Sequence, residues 1–132
     1  MIDLSEVKKI EAKAKCLIPR EKIDLAISQL AHTINHSELA DQTPLFLCVM
    51  NGALIFMGQL ITQLTFPLQL DYIQVSRYHG TERRDLKWIA EPSISLTDRN
   101  VVIIEDVLDS GLTLAAINKY CDSIRRDSID LT

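Results

Sequence analysis

Residues 101–113 constrain the fold of this chain more than any other part of its sequence. Four consecutive β-branched apolar residues, 101–104, are followed by two adjacent carboxylates, Glu105 and Asp106. A third carboxylate, a serine, a glycine and a threonine come next, and a helix-forming segment follows them. A short apolar run is typical of a buried strand, and a glycine among polar residues is typical of a tight turn. The sequence therefore predicts a strand that ends in an acidic loop, which in turn opens a helix.

The loop after this strand has the chemistry of a site for ribose and phosphate. Open α/β sheets bind ligands outside the carboxyl ends of their strands, and the N–H groups of a turn or helix N-terminus can hold an anion there. Ser110 and Thr113 add hydroxyl donors, and Gly111 lets the backbone approach a ligand closely. Glu105 and Asp106 cannot bind phosphate directly, but they suit ribose hydroxyls or a Mg²⁺ ion that reaches phosphate through water.

The whole chain alternates between strand-like and helix-like segments, which predicts an α/β fold: an open parallel sheet with helices on both faces. A helical lead-in is expected over residues 1–36, with Ser5 as the cap of its first helix and Pro19 in the first turn of its second. Expected strands follow at residues 45–50, 67–78, 86–89 and 101–104, and expected helices at 54–64 and 113–125. We expect a single domain over residues 1–132, with its core at residues 45–132.

The composition excludes several classes of protein. The 132 residues carry 14 basic and 18 acidic side chains, so the net charge is −4 and argues against a general nucleic-acid binder. The N-terminus does not resemble a signal peptide, and no apolar run approaches the length of a membrane span. The three cysteines (Cys16, Cys48 and Cys121) are odd in number and far apart, which indicates a reducing compartment. We expect a cytoplasmic protein without membrane or nucleic-acid partners.

Three segments of the chain, in this order, resemble the type I phosphoribosyltransferases, and within them the hypoxanthine-guanine phosphoribosyltransferases. Residues 46–53 resemble the strand and pyrophosphate loop of that family. Residues 70–78 resemble the strand that leads into its mobile active-site loop, which would correspond to the polar residues 79–85. Residues 105–113, with the pattern Glu-Asp-x-x-Asp-x-Gly-x-Thr, resemble its phosphoribosyl diphosphate signature. The resemblance runs from about residue 45 to the C-terminus and implies the phosphoribosyltransferase fold.

The resemblance also implies a role for each site residue. Asp109 would be the catalytic base that handles the proton on N7 of the purine. Glu105 and Asp106 would hold the ribose hydroxyls, directly or through water on a metal ion. Ser110, Gly111, Leu112 and Thr113 would bind the 5-phosphate, and Arg77 and Tyr78 would lie at the base of the lid. Met50, Asn51 and Gly52 would bind pyrophosphate, and the peptide bond that enters Asn51 would be cis.

Simpler structural roles stay open for several of these residues. The alternatives are a capping role for Asp109, an ordinary turn after a strand for Asn51-Gly52, and a strand-edge aromatic position for Tyr78. Two positions depart from the pattern of the family. Leu112 stands where many relatives have lysine, and Arg77 stands where they frequently have serine.

The reaction that the resemblance implies is transfer of 5-phosphoribose from phosphoribosyl diphosphate to hypoxanthine or guanine. The products would be IMP or GMP and pyrophosphate, as in purine salvage, with Mg²⁺ as cofactor and a homodimer or homotetramer as the assembly. In relatives, a lysine, a stacking aromatic residue and an aspartate read the base, and all three follow the strand that Ile129 opens. Since the sequence ends at Thr132, we expect a domain incomplete at its C-terminal side and a chain that is inactive on its own.

Two other classes of protein fit parts of the sequence. A non-catalytic nucleotide sensor or RNA-binding regulator can use the same fold, although the acidic balance and the lack of a basic stripe argue against RNA. A receiver-like signalling domain needs a phosphorylatable aspartate at the end of another strand. Asp71 lies at the start of its expected strand and fits that requirement poorly.

Overall fold

The computed structural model describes residues 3–77 and 86–127, which are built around a four-stranded sheet. Its strands, in the spatial order β3-β2-β1-β4, are β1 (Leu45–Met50), β2 (Gln69–Arg77), β3 (Leu86–Ala90) and β4 (Val101–Ile104). β1 is parallel to both β2 and β4, whereas β3 pairs with β2 in the antiparallel direction. The predicted parallel sheet is therefore confirmed for three strands, and the fourth is an antiparallel edge.

Four α-helices accompany the sheet in the described part of the chain: α1 (Leu4–Lys13), α2 (Arg20–Asn35), α3 (Leu54–Ile61) and α4 (Leu112–Asp127). A short 3₁₀-helix, Glu38–Asp41, lies in the segment before β1. The first helix is capped by Asp3, whose carboxylate accepts a hydrogen bond of 2.8 Å from the Ser5 amide. The expected cap at Ser5 was therefore wrong, because the chain turns into the helix two residues earlier. Pro19 was expected in the first turn of the second helix, but it precedes α2 as its N-cap.

Helices cover both faces of the sheet, as predicted, and this explains why β1 is buried over almost its whole length. Successive residues of a strand point to opposite faces. Phe46 and Cys48 pack on one side with α2 and α3, while Leu45, Leu47 and Val49 pack on the other side with α4. The continuous apolar pattern of β1 therefore follows from burial on two faces.

The connection between β3 and β4 is anchored by Asp71 of β2. One carboxylate oxygen, Oδ2, accepts hydrogen bonds from the amides of Ser93 and Ile94, both 2.7 Å, and from the Ser93 hydroxyl at 3.1 Å. Burial disfavours the charge, but these bonds and the Tyr72 amide more than offset it and hold the pKa of Asp71 below its usual range. The anchored segment carries Leu96 into the core, where it is 1% exposed. This structural role does not fit the phosphorylated aspartate of a receiver domain.

Some predicted features lie outside the described residues. These are Tyr78, the lid at residues 79–85 and the strand that Ile129 was expected to open. Within residues 3–77 and 86–127, no helix combines the length and the apolar character needed to cross a membrane.

Candidate active site

The carboxyl ends of β1 and β4 bring two of the predicted loops together. The two strands are parallel neighbours with Cys48 opposite Ile104, so the loops that follow them leave the sheet at the same edge. Gly52 lies directly against Asp106: a Cβ atom built on Gly52 would be 2.6 Å from Asp106 Cγ and 2.7 Å from its Oδ1. Segments that are distant in the sequence therefore form one surface.

The turn at residues 50–52 links β1 to α3. The Met50–Asn51 peptide bond is cis, as the resemblance to phosphoribosyltransferases implied. The turn is closed by hydrogen bonds from the Ala53 amide to the Val49 carbonyl and from the Leu54 amide to the Asn51 carbonyl, both 3.2 Å. Asn51 and Gly52 are exposed at its tip. The Asn-Gly pair is thus a turn that also borders the acidic loop.

The acidic loop and the start of α4 enclose a pocket of about 200 Å³. Its lining consists of Glu105, Asp106, Val107, Leu108, Asp109, Gly111, Thr113 and Leu114. Five of the seven residues predicted from this loop therefore line one concavity, and Ser110 and Leu112 lie beside it in the chain. Sequence reasoning missed Val107 and Leu108, which are apolar yet 63% and 74% exposed. Their position between two carboxylates in a polar loop was the signal that could have identified them.

Gly111 sets the geometry of the turn into α4. Its φ angle is +72°, in the left-handed region that glycine adopts without the steric cost met by other residues. Its carbonyl accepts the Ala115 amide at 2.9 Å, which starts the helix directly after the loop. Because the first amides of a helix have no intrahelical acceptor, this end of α4 favours an anionic ligand.

Asp109 lies in the turn and also lines the pocket. Its Oδ1 accepts a hydrogen bond of 2.5 Å from the Ser110 amide, and the Ser110 hydroxyl lies 3.4 Å from the same atom. These hydrogen bonds agree with the alternative that Asp109 stabilises the turn. Its side chain is also exposed and lines the pocket. Its role as general base stays a prediction.

The environment of Glu105 disfavours its ionised form. Partial burial, followed by the neighbouring Asp106, raises the pKa of Glu105, although the Asp106 amide donates a 3.0 Å hydrogen bond to Glu105 Oε1. Burial and the negative charge of Glu105 also raise the pKa of the Cys48 thiol. Cys48 is 4% exposed and is a small core residue. A ligand that donates hydrogen bonds to Glu105 or brings a cation close to it would stabilise its ionised form.

The described residues contain no cluster of three or more His, Cys, Asp or Glu side chains that could hold a metal ion. Glu105 and Asp106 nevertheless offer carboxylate oxygens, the ligand type that Mg²⁺ prefers. This ion usually keeps several waters and is held by one or two carboxylates together with substrate phosphates. The acidic pair therefore fits a Mg²⁺ ion that arrives with its substrate.

The backbone places Arg77 at the carboxyl end of β2, the strand next to β1 on the side away from β4. Met50 pairs with Gln74, so Arg77 lies beyond the end of β1 along its neighbour. Arg77 and the turn at residues 50–52 therefore lie at the same edge of the sheet. Tyr78, the other residue predicted here, lies outside the described part of the chain.

Comparison with known proteins gives this arrangement a family. The family model described as "Phosphoribosyl transferase domain" matches residues 19–126. The chain belongs to the phosphoribosyltransferase family. This confirms the resemblance that the three motifs indicated.

Within this family, the relatives that match the chain include hypoxanthine-guanine phosphoribosyltransferases, the group that its motifs resemble. The hypoxanthine-guanine phosphoribosyltransferase of Bacillus subtilis is 37% identical over 103 residues, which are 76% of this chain and 57% of the relative. The hypoxanthine-guanine-xanthine phosphoribosyltransferase of Tritrichomonas foetus is 30% identical over 112 residues, 84% of this chain and 61% of the relative. A crystal structure of a hypoxanthine phosphoribosyltransferase from Staphylococcus aureus superposes with a TM-score of 0.77 at 26% identity, covering 84% of this chain and 61% of that one. The chain thus spans between 57% and 61% of the length of these relatives.

Proposed function

We propose that this protein transfers 5-phosphoribose from phosphoribosyl diphosphate to hypoxanthine or guanine, giving IMP or GMP and pyrophosphate in purine salvage. The observation that supports the proposal most is the contact between Gly52 and Asp106, since it joins the turn assigned to pyrophosphate with the loop assigned to ribose. The names of the relatives support the choice of base.

The pocket after β4 suits the ribose-5-phosphate part of the substrate. The proposed phosphate ligands are the amides and hydroxyls of residues 110–113, at the N-terminus of α4. Glu105 and Asp106 would accept hydrogen bonds from the ribose hydroxyls. Those donors would stabilise the ionised form of Glu105, whose pKa is raised in the folded chain.

Mg²⁺ is the proposed cofactor, held by Glu105 and Asp106 mostly through water or the ribose hydroxyls. When bound, the ion would neutralise negative charge on the departing pyrophosphate. The proposed contribution of the protein is to position the diphosphate against the turn at residues 50–52.

Asp109 is the proposed general base for the N7 proton of the purine. Its exposure in the pocket, three residues after Asp106, supports this assignment. The hydrogen bond from the Ser110 amide fixes the orientation of its carboxylate. A positioned base of this kind contributes a factor of about 10²–10⁴ to the rate.

The proposal includes a cytoplasmic location and self-association into a homodimer or homotetramer. Cys16, Cys48 and Cys121 form no disulfide in the structure, which supports a reducing compartment. Large apolar side chains are exposed in the N-terminal region, Leu4 at 72% and Leu17 at 84%, and exposed apolar surface supports association.

Calorimetry with phosphoribosyl diphosphate and Mg²⁺ tests the proposed substrate site. We expect saturable binding that Glu105→Ala/Asp106→Ala weakens at least about tenfold, because both ribose acceptors are lost. The control is Glu38→Ala/Asp41→Ala, which removes the same charge from the exposed 3₁₀-helix and should bind normally. Unchanged affinity in the first double variant would overturn the assignment of the acidic loop. Competition in a chain extended beyond Thr132 then tests the base: IMP and GMP should displace the diphosphate better than AMP does.

A further inference from the structure

Two histidines lie side by side at the C-terminal end of α2, far along the chain from the candidate active site. His32 is in the last turn of the helix and His36 is its C-cap residue, four positions later. Their ring centres are 4.2 Å apart, with an angle of 41° between the ring planes. Both side chains are exposed, so the ring pair is open to solvent and to a ligand.

The orientation of the His36 ring is fixed by its own helix. Its Nδ1 atom lies 2.8 Å from the carbonyl oxygen of His32. A carbonyl oxygen can only accept a hydrogen bond, so Nδ1 carries the proton and, in the neutral ring, Nε2 keeps its lone pair. Histidines that bind metal ions almost always donate their other ring N–H to a carbonyl or carboxylate in this way.

We propose that His32 and His36 form a binding site for a divalent transition-metal ion of the Zn²⁺, Ni²⁺ or Cu²⁺ class. Imidazole suits these ions, whereas Mg²⁺ prefers oxygen ligands, so the site differs in chemistry from the acidic pair. Residues four apart share one face of a helix. Two imidazoles bound to one ion at about 2.0–2.1 Å have ring centres roughly 4.5–5 Å apart. The observed separation of 4.2 Å is close to that spacing.

The surroundings favour a cation with two protein ligands. The carbonyl end of a helix carries partial negative charge, which stabilises cations in its last turn. The described residues contain no group of three metal-binding side chains, so water would complete the coordination.

Binding of an ion here would stabilise the junction between α2 and the chain after α3. Asn35, next to His36, donates to the Gln63 carbonyl at 2.9 Å and accepts from the Thr65 amide at 2.9 Å. Because a bound ion would hold the last turn of α2 closed, this junction should resist thermal unfolding better.

Titration of the metal-free chain with Ni²⁺ and Zn²⁺, followed by calorimetry and thermal unfolding, tests the site. We expect one ion per chain and a higher midpoint of unfolding, with no such effect of Mg²⁺. His32→Ala and His36→Ala should each weaken binding at least about tenfold, and the double variant only slightly more. The reason is that either change removes the intramolecular second ligand.

A matched variant tests whether binding depends on the spacing of the two histidines or only on their number. Thr33→His/His36→Ala keeps two histidines in the helix but places them at adjacent positions, which do not face each other. It should bind as weakly as His36→Ala, with circular dichroism confirming that α2 is intact. Cys16→Ser should bind normally. Unchanged affinity in the His32→Ala/His36→Ala double variant, or loss of binding in Cys16→Ser, would overturn the proposal.

Discussion

Gly52 touches the carboxylate of Asp106, because the neighbouring parallel strands β1 and β4 deliver the two residues to the same edge of the sheet. A side chain at position 52 would have to displace the Asp106 carboxylate from its present position. The turn after β1 and the acidic loop after β4 are therefore one structural unit, and a change in either displaces the other.

Gly52→Ala tests this unit. The added Cβ would push the Asp106 carboxylate out of its present position, so we expect the affinity for phosphoribosyl diphosphate with Mg²⁺ to fall about tenfold, roughly the cost of one hydrogen bond to a charged group. Gly58→Ala is the control, since nothing lies within 4 Å of its added Cβ in α3. It should bind normally and gain about 0.5–1 kcal/mol of stability. Normal binding by Gly52→Ala would show that the contact does not matter.

Glu105→Gln should stabilise the unliganded chain at pH 7 while weakening substrate binding. Burial and the adjacent Asp106 raise the pKa of Glu105, so ionisation at neutral pH costs folding free energy and stability rises as pH falls through the raised pKa. Glutamine removes that cost, and we expect a gain below about 1 kcal/mol because the site is partly solvated. Chemical denaturation at pH 7 and pH 4 should show a gain that shrinks in acid. A variant less stable at pH 7 than the parent would contradict this.

Asp109→Asn separates its two possible roles. If Asp109 is the general base, turnover with hypoxanthine or guanine, measured in a chain extended beyond Thr132, falls by about 10²–10⁴-fold while affinity for the diphosphate changes little. Asparagine keeps an oxygen that can accept the Ser110 amide, so the turn itself is preserved. Steady-state kinetics together with calorimetry measure both quantities. Equal losses of turnover and affinity would indicate a capping role only.

The strands were predictable from the sequence because their signal is local. The apolar runs that became β1 and β4 have the length and β-branched composition of buried strands, and both ended within the predicted limits. The cap of α1 was misassigned because Asp3 and Ser5 are both good caps and the choice depends on one backbone turn.

Contacts between distant segments could not be predicted without a known family. The Asp71 anchor on Ser93 and the Gly52 contact with Asp106 depend on strand order, which no local pattern contains. Resemblance supplied the grouping of the loops at residues 50–52 and 105–113. It did not supply the facing pair His32 and His36, whose chemistry lies outside the family motifs.

Asp71→Asn should destabilise the chain in a pH-dependent manner. The pKa of Asp71 is lowered, so its contribution to stability is present above its unfolded pKa of about 3.9 and is lost as pH falls through the folded value. Asparagine replaces one oxygen by an amide donor, and we expect a loss of about 1–2 kcal/mol at pH 7. Urea unfolding from pH 7 to pH 3 should show this difference closing in acid. Asp41→Asn, on the exposed 3₁₀-helix, should have little effect, and a pH-independent loss in Asp71→Asn would refute the anchor.

Tyr120→Ala and Tyr120→Phe test the attachment of α4 to the far edge of the sheet. Tyr120 stacks on Trp88 of β3, with ring centres 4.2 Å apart and planes inclined by 28°. Burial, and then the charge and hydrogen bond of the nearby Glu91, raise the pKa of Tyr120, so its hydroxyl stays neutral and the ring supplies the stack on Trp88. Alanine should therefore cost about 2–3 kcal/mol, and phenylalanine less than about 1 kcal/mol. Trp88 is the only tryptophan of the chain, so its fluorescence reports the same change. Emission should shift to longer wavelength in Tyr120→Ala, because water reaches the indole, and should not shift in Tyr120→Phe. Equal behaviour of the two variants would show that α4 is held by other contacts.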